Sequence, residues 1–235
     1  MKLSELTRGL DCTLEAGTLD IDITALEYDS RRVVPGSLFV CLTGFQTDGH
    51  DYIPKALEAG ASALVVEREI SVPAGTAVLR VPDSRAALAL LSAAWFGHPA
   101  EEMTIIGLTG TKGKTTTAHM LKAILEAAGH RVGMIGTIGA VIGGERITTK
   151  NTTPESYELH SLFRRMADAG CSHVVMEASS QGFKLRRTAG VQFDIGVFLN
   201  LSPDHIGPGE HESFEEYLQC KRLMFRQCRQ GLVNS

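Results

Sequence analysis

The segment Thr109-Gly110-Thr111-Lys112-Gly113-Lys114-Thr115-Thr116 carries the residue types of a phosphate cradle, and it follows the apolar run 103–108. An apolar strand, a glycine-bearing turn and Lys-Thr at a helix start place backbone N–H groups and a helix N-terminus against an anion. Lys114 can then reach terminal phosphates, and the Thr115 hydroxyl can hold Mg²⁺. The general P-loop spacing is not met, because the position five before Gly113 is Leu108. The loop reads T-G-T-x-G-K-T-T instead.

Three further polar clusters fall in order behind this loop: Asn151-Thr152-Thr153-Pro154-Glu155, Met176-Glu177-Ala178-Ser179-Ser180 and Asn200-Leu201-Ser202-Pro203-Asp204-His205. Each sits where nucleotide folds put their sites, just beyond the carboxyl end of a strand. A single acid or histidine in such a place is ordinarily a satisfied loop residue. Four clusters behind one phosphate loop point to a shared site. Glu177 closes the apolar run 173–176, and an acid at the end of a buried strand needs a partner, for which a divalent ion is suited.

The elements that must position these residues alternate between strand and helix. In the first hundred residues, strands are expected over 23–28, 38–42, 63–66 and 77–81, with helices over 53–59 and 83–96 and Asp83 as an N-cap. Gly97-His98-Pro99 breaks the last helix, which sets a domain boundary near 97–102. Beyond it come a strand ending at Leu108 and a helix over 115–128 with Met120, Leu121, Ile124, Leu125 and Ala128 as its apolar stripe. A strand over 132–138, a hairpin about Gly143-Gly144 and a helix bearing Leu159, Leu162, Phe163 and Met166 follow. Strands over 173–176 and 193–199 precede a last helix over 214–229, and 231–235 reads as the opening of another strand. The pattern predicts an α/β fold with mostly parallel sheets covered on both faces. Domains are expected at 1–100 and 101–235, the second incomplete at its carboxyl end.

Bulk composition narrows the function. The 235 residues carry a net charge of −4 with no Lys/Arg block, so nucleic acid is not an expected partner. No apolar run reaches membrane-spanning length. The five cysteines contain no Cys-x-x-Cys pair and read as reduced thiols of a cytoplasmic protein.

Together the motifs T-G-T-K-G-K-T-T, N-T-T-P, M-E-A-S-S, N-L-x-x-D-H and Tyr217-x-x-x-Lys221 resemble those of the Mur ligases, ATP-dependent enzymes that add amino acids to the peptidoglycan precursor. Asp29-Ser30-Arg31 and Asp48-Gly49-His50-Asp51-Tyr52-Ile53 look like the uridine-nucleotide domain of the family member that adds the third residue. The resemblance runs over essentially the whole chain. Folylpolyglutamate synthetases share the ATPase pattern but not this amino-terminal part.

What the resemblance implies is specific. Residues 1–100 would bind the UDP-muramoyl substrate, and 101–235 would be a central ATP-binding domain. ATP would lie on Thr109, Gly110, Thr111, Lys112, Gly113, Lys114 and Thr115. Thr115, Glu177 and His205 would hold Mg²⁺, and Lys114, Glu177, His205 and Lys221 would serve catalysis. A lysine on a helix is in itself most simply a solvated charge. In the family the lysine matching Lys221 is carbamylated and becomes a metal ligand, which requires a depressed pKa. Ser30, Asn151, Thr152, Thr153, Ser179 and Arg187 match positions that hold the substrate, UDP-N-acetylmuramoyl-L-alanyl-D-glutamate. The co-substrate would be meso-diaminopimelate or L-lysine, and the protein a monomer.

Two departures stand out. Leu185 replaces a glutamine found two residues before the arginine in many relatives, and residues 206–211 replace an acidic-aromatic stretch, so His211 receives no role. Because the family's third domain has no counterpart here, the chain is expected to be a truncated ligase that ligates poorly. The alternatives are a non-catalytic nucleotide-binding fragment, which would bind without Mg²⁺-dependent phosphoryl transfer, and a small-molecule kinase, which the amino-terminal domain disfavours.

Overall fold

The computed structural model describes residues 1–44 and 47–234. The chain divides into two units, Met1–Trp95 and Phe96–Ser235. The first contains α1 (Leu3–Leu6), β1 (Thr13–Ala16), β2 (Ala25–Glu27), β3 (Ser37–Val40), α2 (Ile53–Glu58), β4 (Ala63–Val66), β5 (Ala77–Arg80) and α3 (Ser84–Trp95). Its sheet has the order β1-β5-β4-β3-β2. β2 to β5 are parallel, and β1 runs antiparallel to β5. Every residue of β3 and β4 is buried, as their unbroken apolar runs require of strands covered on both faces. Asp83 Oδ1 accepts from the Ala86 N–H at 2.9 Å and so caps α3, worth about 1 kcal/mol.

The second unit contains β6 (Thr104–Thr109), α4 (Lys114–Ala127), β7 (Val132–Gly136), β8 (Gly139–Ile142), β9 (Glu145–Ile147), α5 (Ser156–Asp168), β10 (His173–Glu177), α6 (Ser180–Lys184), β11 (Phe193–Phe198), α7 (Phe214–Arg222) and β12 (Cys228–Val233). The sheet order is β12-β11-β6-β10-β7-β8-β9. The first five strands in that order are parallel, and β7-β8-β9 form an antiparallel meander turning at Gly143-Gly144. Alternate residues of β6 and β10 supply two cores. Ile105, Val174 and Met176 pack with Leu159, Leu162, Phe163 and Met166 of α5 and with Phe183 of α6. Ile106, Leu108 and Val175 pack on the other face with Ala118, Leu121 and Leu125 of α4.

Several elements differ from expectation. The last helix stops at Arg222, a 3₁₀ turn follows over Leu223–Arg226, and Cys228 already pairs with Phe193 of β11. The α4 stripe is also displaced: Ala118 is its buried contact, whereas Met120 and Ile124 are 59 % and 61 % exposed. A small residue lets the helix approach the sheet closely, and that approach selects the Ala118 side. The short elements α1, β1 and α6 carry too few residues to show a period. The expected opening strand falls within β12, and its last residue, Ser235, lies outside the described residues.

Candidate active site

β6 and β10 are neighbours, so the turn after Thr109 and the side chain of Glu177 emerge side by side at the carboxyl edge of the sheet. The turn is fastened from below by the segment after β11. Asn200 accepts from the Lys112 N–H through Oδ1 (2.9 Å) and donates to the Lys112 carbonyl (3.0 Å), while the Thr111 N–H donates to the Asn200 carbonyl (3.1 Å). The Thr111 hydroxyl accepts from the Ser202 N–H and from Tyr217 Oη (3.0 and 3.1 Å). Gly113 sits at φ 84°, a left-handed conformation that glycine adopts without strain, and it delivers Lys114 as the first residue of α4.

Two lysines converge on this turn. Lys114 Nζ donates to the carbonyls of Gly110 (2.8 Å) and Thr111 (3.2 Å). Lys221 Nζ donates to the same Gly110 carbonyl (2.9 Å) and lies 4.5 Å from the Tyr217 ring centroid. Lys221 is 1 % exposed. Burial strips water from its ammonium, the Lys114 charge adds repulsion, and its pKa falls to about 7. Burial also lowers Lys114, against the opposing pull of Glu177 and Asp204.

Glu177 is 1 % exposed. Its Oε1 accepts from the Thr115 hydroxyl (2.9 Å) and the Thr137 N–H (3.1 Å), and its Oε2 from the Thr137 hydroxyl (3.1 Å). A Cβ at Gly136 would stand 2.2 Å from Glu177 Oε1, so glycine there is what gives the carboxylate its place. The Asn-Thr-Thr-Pro loop joins the same cluster. Thr152 Oγ1 lies 3.2 Å from Thr137 Oγ1, and Thr153 Oγ1 donates to the Glu177 carbonyl and meets Ser179 Oγ, both at 3.1 Å. Arg187 donates to the Thr153 carbonyl (3.1 Å) and pairs with Glu155 through Nε (2.7 Å). The backbone carbonyl of Asn151 accepts from the Thr149 hydroxyl (3.1 Å).

The structure thus brings together the phosphate turn, Lys114, Thr115, Glu177, Lys221, Thr152, Thr153, Ser179 and Arg187. His205 lies on the Tyr217 side of the turn, the two ring centroids 6.1 Å apart. Its backbone is left-handed at φ 55°, its side chain is about half exposed, and its Nδ1 lies 3.0 Å from Glu210. Ser30 belongs to the first unit, buried in the turn after β2 beside the Asp29–Arg31 pair, whose Nη2–Oδ2 distance is 2.7 Å. Thr137 and Gly136 escaped the sequence reading as site residues, while Asn200 was read as part of a site cluster without a role of its own. The signal for Thr137 was its place at the end of β7, next to β10.

The donor set fits a hard cation: a carboxylate and a threonine hydroxyl, all oxygen, beside a turn lined by two ammonium groups. An anion with several charges suits the half-buried Lys114 and the buried Lys221, which share one carbonyl.

Two family descriptions match this chain: the Mur ligase middle domain over residues 108–234 and the Mur ligase family catalytic domain over residues 22–96. A protein from Clostridium perfringens named UDP-N-acetylmuramoyl-L-alanyl-D-glutamate–2,6-diaminopimelate ligase is 42 % identical over 234 residues, covering 100 % of this chain and 48 % of its own length. A protein of the same name from Bacillus licheniformis is 45 % identical over 228 residues, 97 % of this chain and 46 % of its own. A solved structure titled as that ligase superposes with a TM-score of 0.83 at 26 % identity, covering 100 % of this chain and 47 % of the other. The chain therefore spans about half the length of the curated relatives it matches. With more than half of its residues inside the middle-domain match, and with the sheets and phosphate turn described above, this chain belongs to the Mur ligase family.

Proposed function

We propose that this chain carries the nucleotide and UDP-substrate sites of an ATP-dependent amide-forming ligase, one that adds a third residue to UDP-N-acetylmuramoyl-L-alanyl-D-glutamate. The observation that carries the reading is the convergence of Lys114 and Lys221 on the Gly110 carbonyl, next to the Thr115–Glu177 pair. The relatives' names supply the substrates and the 2,6-diaminopimelate co-substrate.

A carboxylate does not couple to an amine at neutral pH, because its leaving group is poor. Transfer of the ATP γ-phosphoryl group to the substrate carboxylate gives an acyl phosphate, and the amine then displaces phosphate through a tetrahedral intermediate. The protein's part is positioning and charge neutralisation. Lys114 would lie along the terminal phosphates and the free N–H groups at the start of α4, Lys114 and Thr115, would donate to their oxygens, those of Thr111 and Lys112 being held by Asn200. Thr115 and Glu177 would hold Mg²⁺, which neutralises phosphate charge when bound. His205 is proposed as a contact for a second cation. Lys221, held near its neutral form by burial, is suited to carbamylation, since only the free amine adds CO₂. The Asn151, Thr152 and Thr153 loop, Ser179 and Arg187 face the muramoyl-dipeptide, and Ser30 the uridine nucleotide. The assignment of 1–100 and 101–235 to these two tasks, and a cytoplasmic, monomeric state, belong to the same proposal.

Calorimetric titration of the 235-residue chain tests it. ATP with Mg²⁺ and the UDP-muramoyl-dipeptide are each expected to bind. Lys114→Ala should weaken the nucleotide by about tenfold or more, the loss expected of one desolvated charge contact, and leave the UDP substrate unaffected. Failure of both ligands to bind would refute the reading.

A further inference from the structure

The loop 206–211 departs from the family pattern, and it ends in a histidine that the proposed chemistry does not use. His211 is fully buried. Its Nε2 lies 2.8 Å from Ser180 Oγ, and its Nδ1 has no hydrogen-bond partner among the described residues. Nδ1 lies 3.6 Å from Glu216 Oε2, and with the ring proton on Nε2, donated to Ser180, its lone pair is open to a cation between the two. Glu216 and Cys220 are four residues apart on α7 and so share one helix face. His211 Nδ1, a Glu216 oxygen and Cys220 Sγ all lie within 4.8 Å of one another.

We propose that His211, Glu216 and Cys220 form a binding site for a divalent cation of the zinc class, separate from the phosphate turn and its oxygen ligands. The chemistry of the donors selects the class. Thiolate and imidazole favour zinc-like ions, whereas Mg²⁺ prefers oxygen alone. Donors around tetrahedral zinc stand about 3.3–3.6 Å apart for bond lengths of about 2.0–2.3 Å, so these groups need to draw in by about 1 Å. Ser180 supplies the outer hydrogen bond that fixes a ligating imidazole's tautomer. Lys184 occupies Glu216 Oε1 at 2.8 Å, while Oε2 accepts from the Glu212 N–H (2.7 Å) and keeps a further lone pair 3.6 Å from His211 Nδ1. Burial holds His211 neutral and the Cys220 thiol protonated. The thiol proton therefore leaves to solvent as the sulfur–metal bond forms, and no redox change is involved. The ion would staple the divergent loop and α6 to α7, the helix that carries Tyr217 and Lys221.

Co²⁺ is the probe, titrated into the reduced chain in excess Mg²⁺ with a thiol-free reductant. A sulfur-to-cobalt charge-transfer band that saturates at one equivalent and is displaced by Zn²⁺ is expected. Cys220→Ser should abolish it, Cys228→Ser should keep it, and Glu216→Gln should weaken Co²⁺ by at least about tenfold. Absence of the band in the unaltered chain, or its survival in Cys220→Ser, overturns the proposal. Should circular dichroism show Cys220→Ser unfolded, Glu216→Gln decides: unchanged cobalt affinity there is equally fatal.

Discussion

Each unit ends a buried parallel strand in a glutamate, and the two glutamates are held almost alike. Glu67, just after β4, accepts from the Ser84 N–H (2.8 Å), the Ser84 hydroxyl (2.7 Å) and the Thr43 hydroxyl (3.1 Å). Glu177, at the end of β10, likewise accepts from one N–H and two hydroxyls. Their surroundings differ. Next to Glu67, Arg68 is matched with Asp48 at 2.7 Å. In the second unit, among the described residues, Lys114 and Lys221 donate to backbone carbonyls. An acid at a strand end is thus no mark of chemistry by itself. Lysines desolvated beside it and held by carbonyls are, because their charged forms cost stability until an anion arrives.

The largest expected difference comes from neutralising each acid in turn. Glu177→Gln should cut Mg²⁺-dependent ATP affinity by about 100-fold while moving the melting temperature little, since the amide oxygen still accepts from Thr115 and Thr137. Glu67→Gln should leave ATP binding unchanged and destabilise the first unit by about 1–2 kcal/mol, through the lost charge at the start of α3. Calorimetry with ATP and thermal melts of both variants read the two effects. Equal nucleotide losses in the two variants would erase the distinction.

Lys221 sharpens the contrast through stability. Its pKa of about 7 in the fold lies below the ordinary lysine value near 10.5. The unfolded chain therefore holds a proton that the fold gives up, and stability rises as pH climbs from 7 towards 10, with the full cost present at pH 7 and below. Lys221→Met should remove the cost, stabilise the second unit by about 2 kcal/mol at pH 7 and flatten that pH dependence. The same substitution should abolish the carbamate signal seen by carbon NMR in labelled bicarbonate. A variant less stable than the parent at pH 7 would mean that Lys221 is a structural brace.

How much of this was legible in the sequence follows from how local each signal is. The phosphate turn was, because Gly113, Lys114 and Thr115 are consecutive and their chemistry depends on backbone geometry that glycine announces. The strands 63–66 and 173–176 were, because unbroken apolar runs bury both faces. The end of the last helix was not: Leu223, Met224 and Phe225 continue a helical apolar pattern without glycine or proline, and only pairing of Cys228 with Phe193 and the Phe193 N–H to Gln227 carbonyl bond (2.7 Å) stop it. The α4 face was misjudged because Ala118 looks weaker than Met120 on any hydrophobic scale, while close approach rewards the smaller side chain. Thr137 was invisible as a site residue, since it meets Glu177 across the sheet rather than along the chain, and the same distance in sequence hid the bonds of Asn200 to Lys112.

The smallest effect belongs to Asp48, and it probes whether the first unit's charge cluster is only a brace. Burial raises the Asp48 pKa, but the His50 N–H (2.9 Å), the His50 ring (2.6 Å) and Arg68 outweigh it and bring it down to about 2. His50 Nε2 accepts from the Glu67 N–H (3.1 Å), so its proton sits on Nδ1 and is donated to Asp48. The cluster's stabilisation is present above about pH 4 and fades as pH falls towards 2. Solvent screening of this partly exposed network keeps it to about 1 kcal/mol. Asp48→Asn should lower the unfolding free energy from urea titration by that amount at pH 7, seen as a lower midpoint, and by nothing at pH 2. The reporter is the fluorescence of Trp95, the one tryptophan of the chain, at the end of α3. An unchanged midpoint combined with lost UDP-substrate binding would make these matched charges part of a site, and the contrast between the two strand ends would collapse.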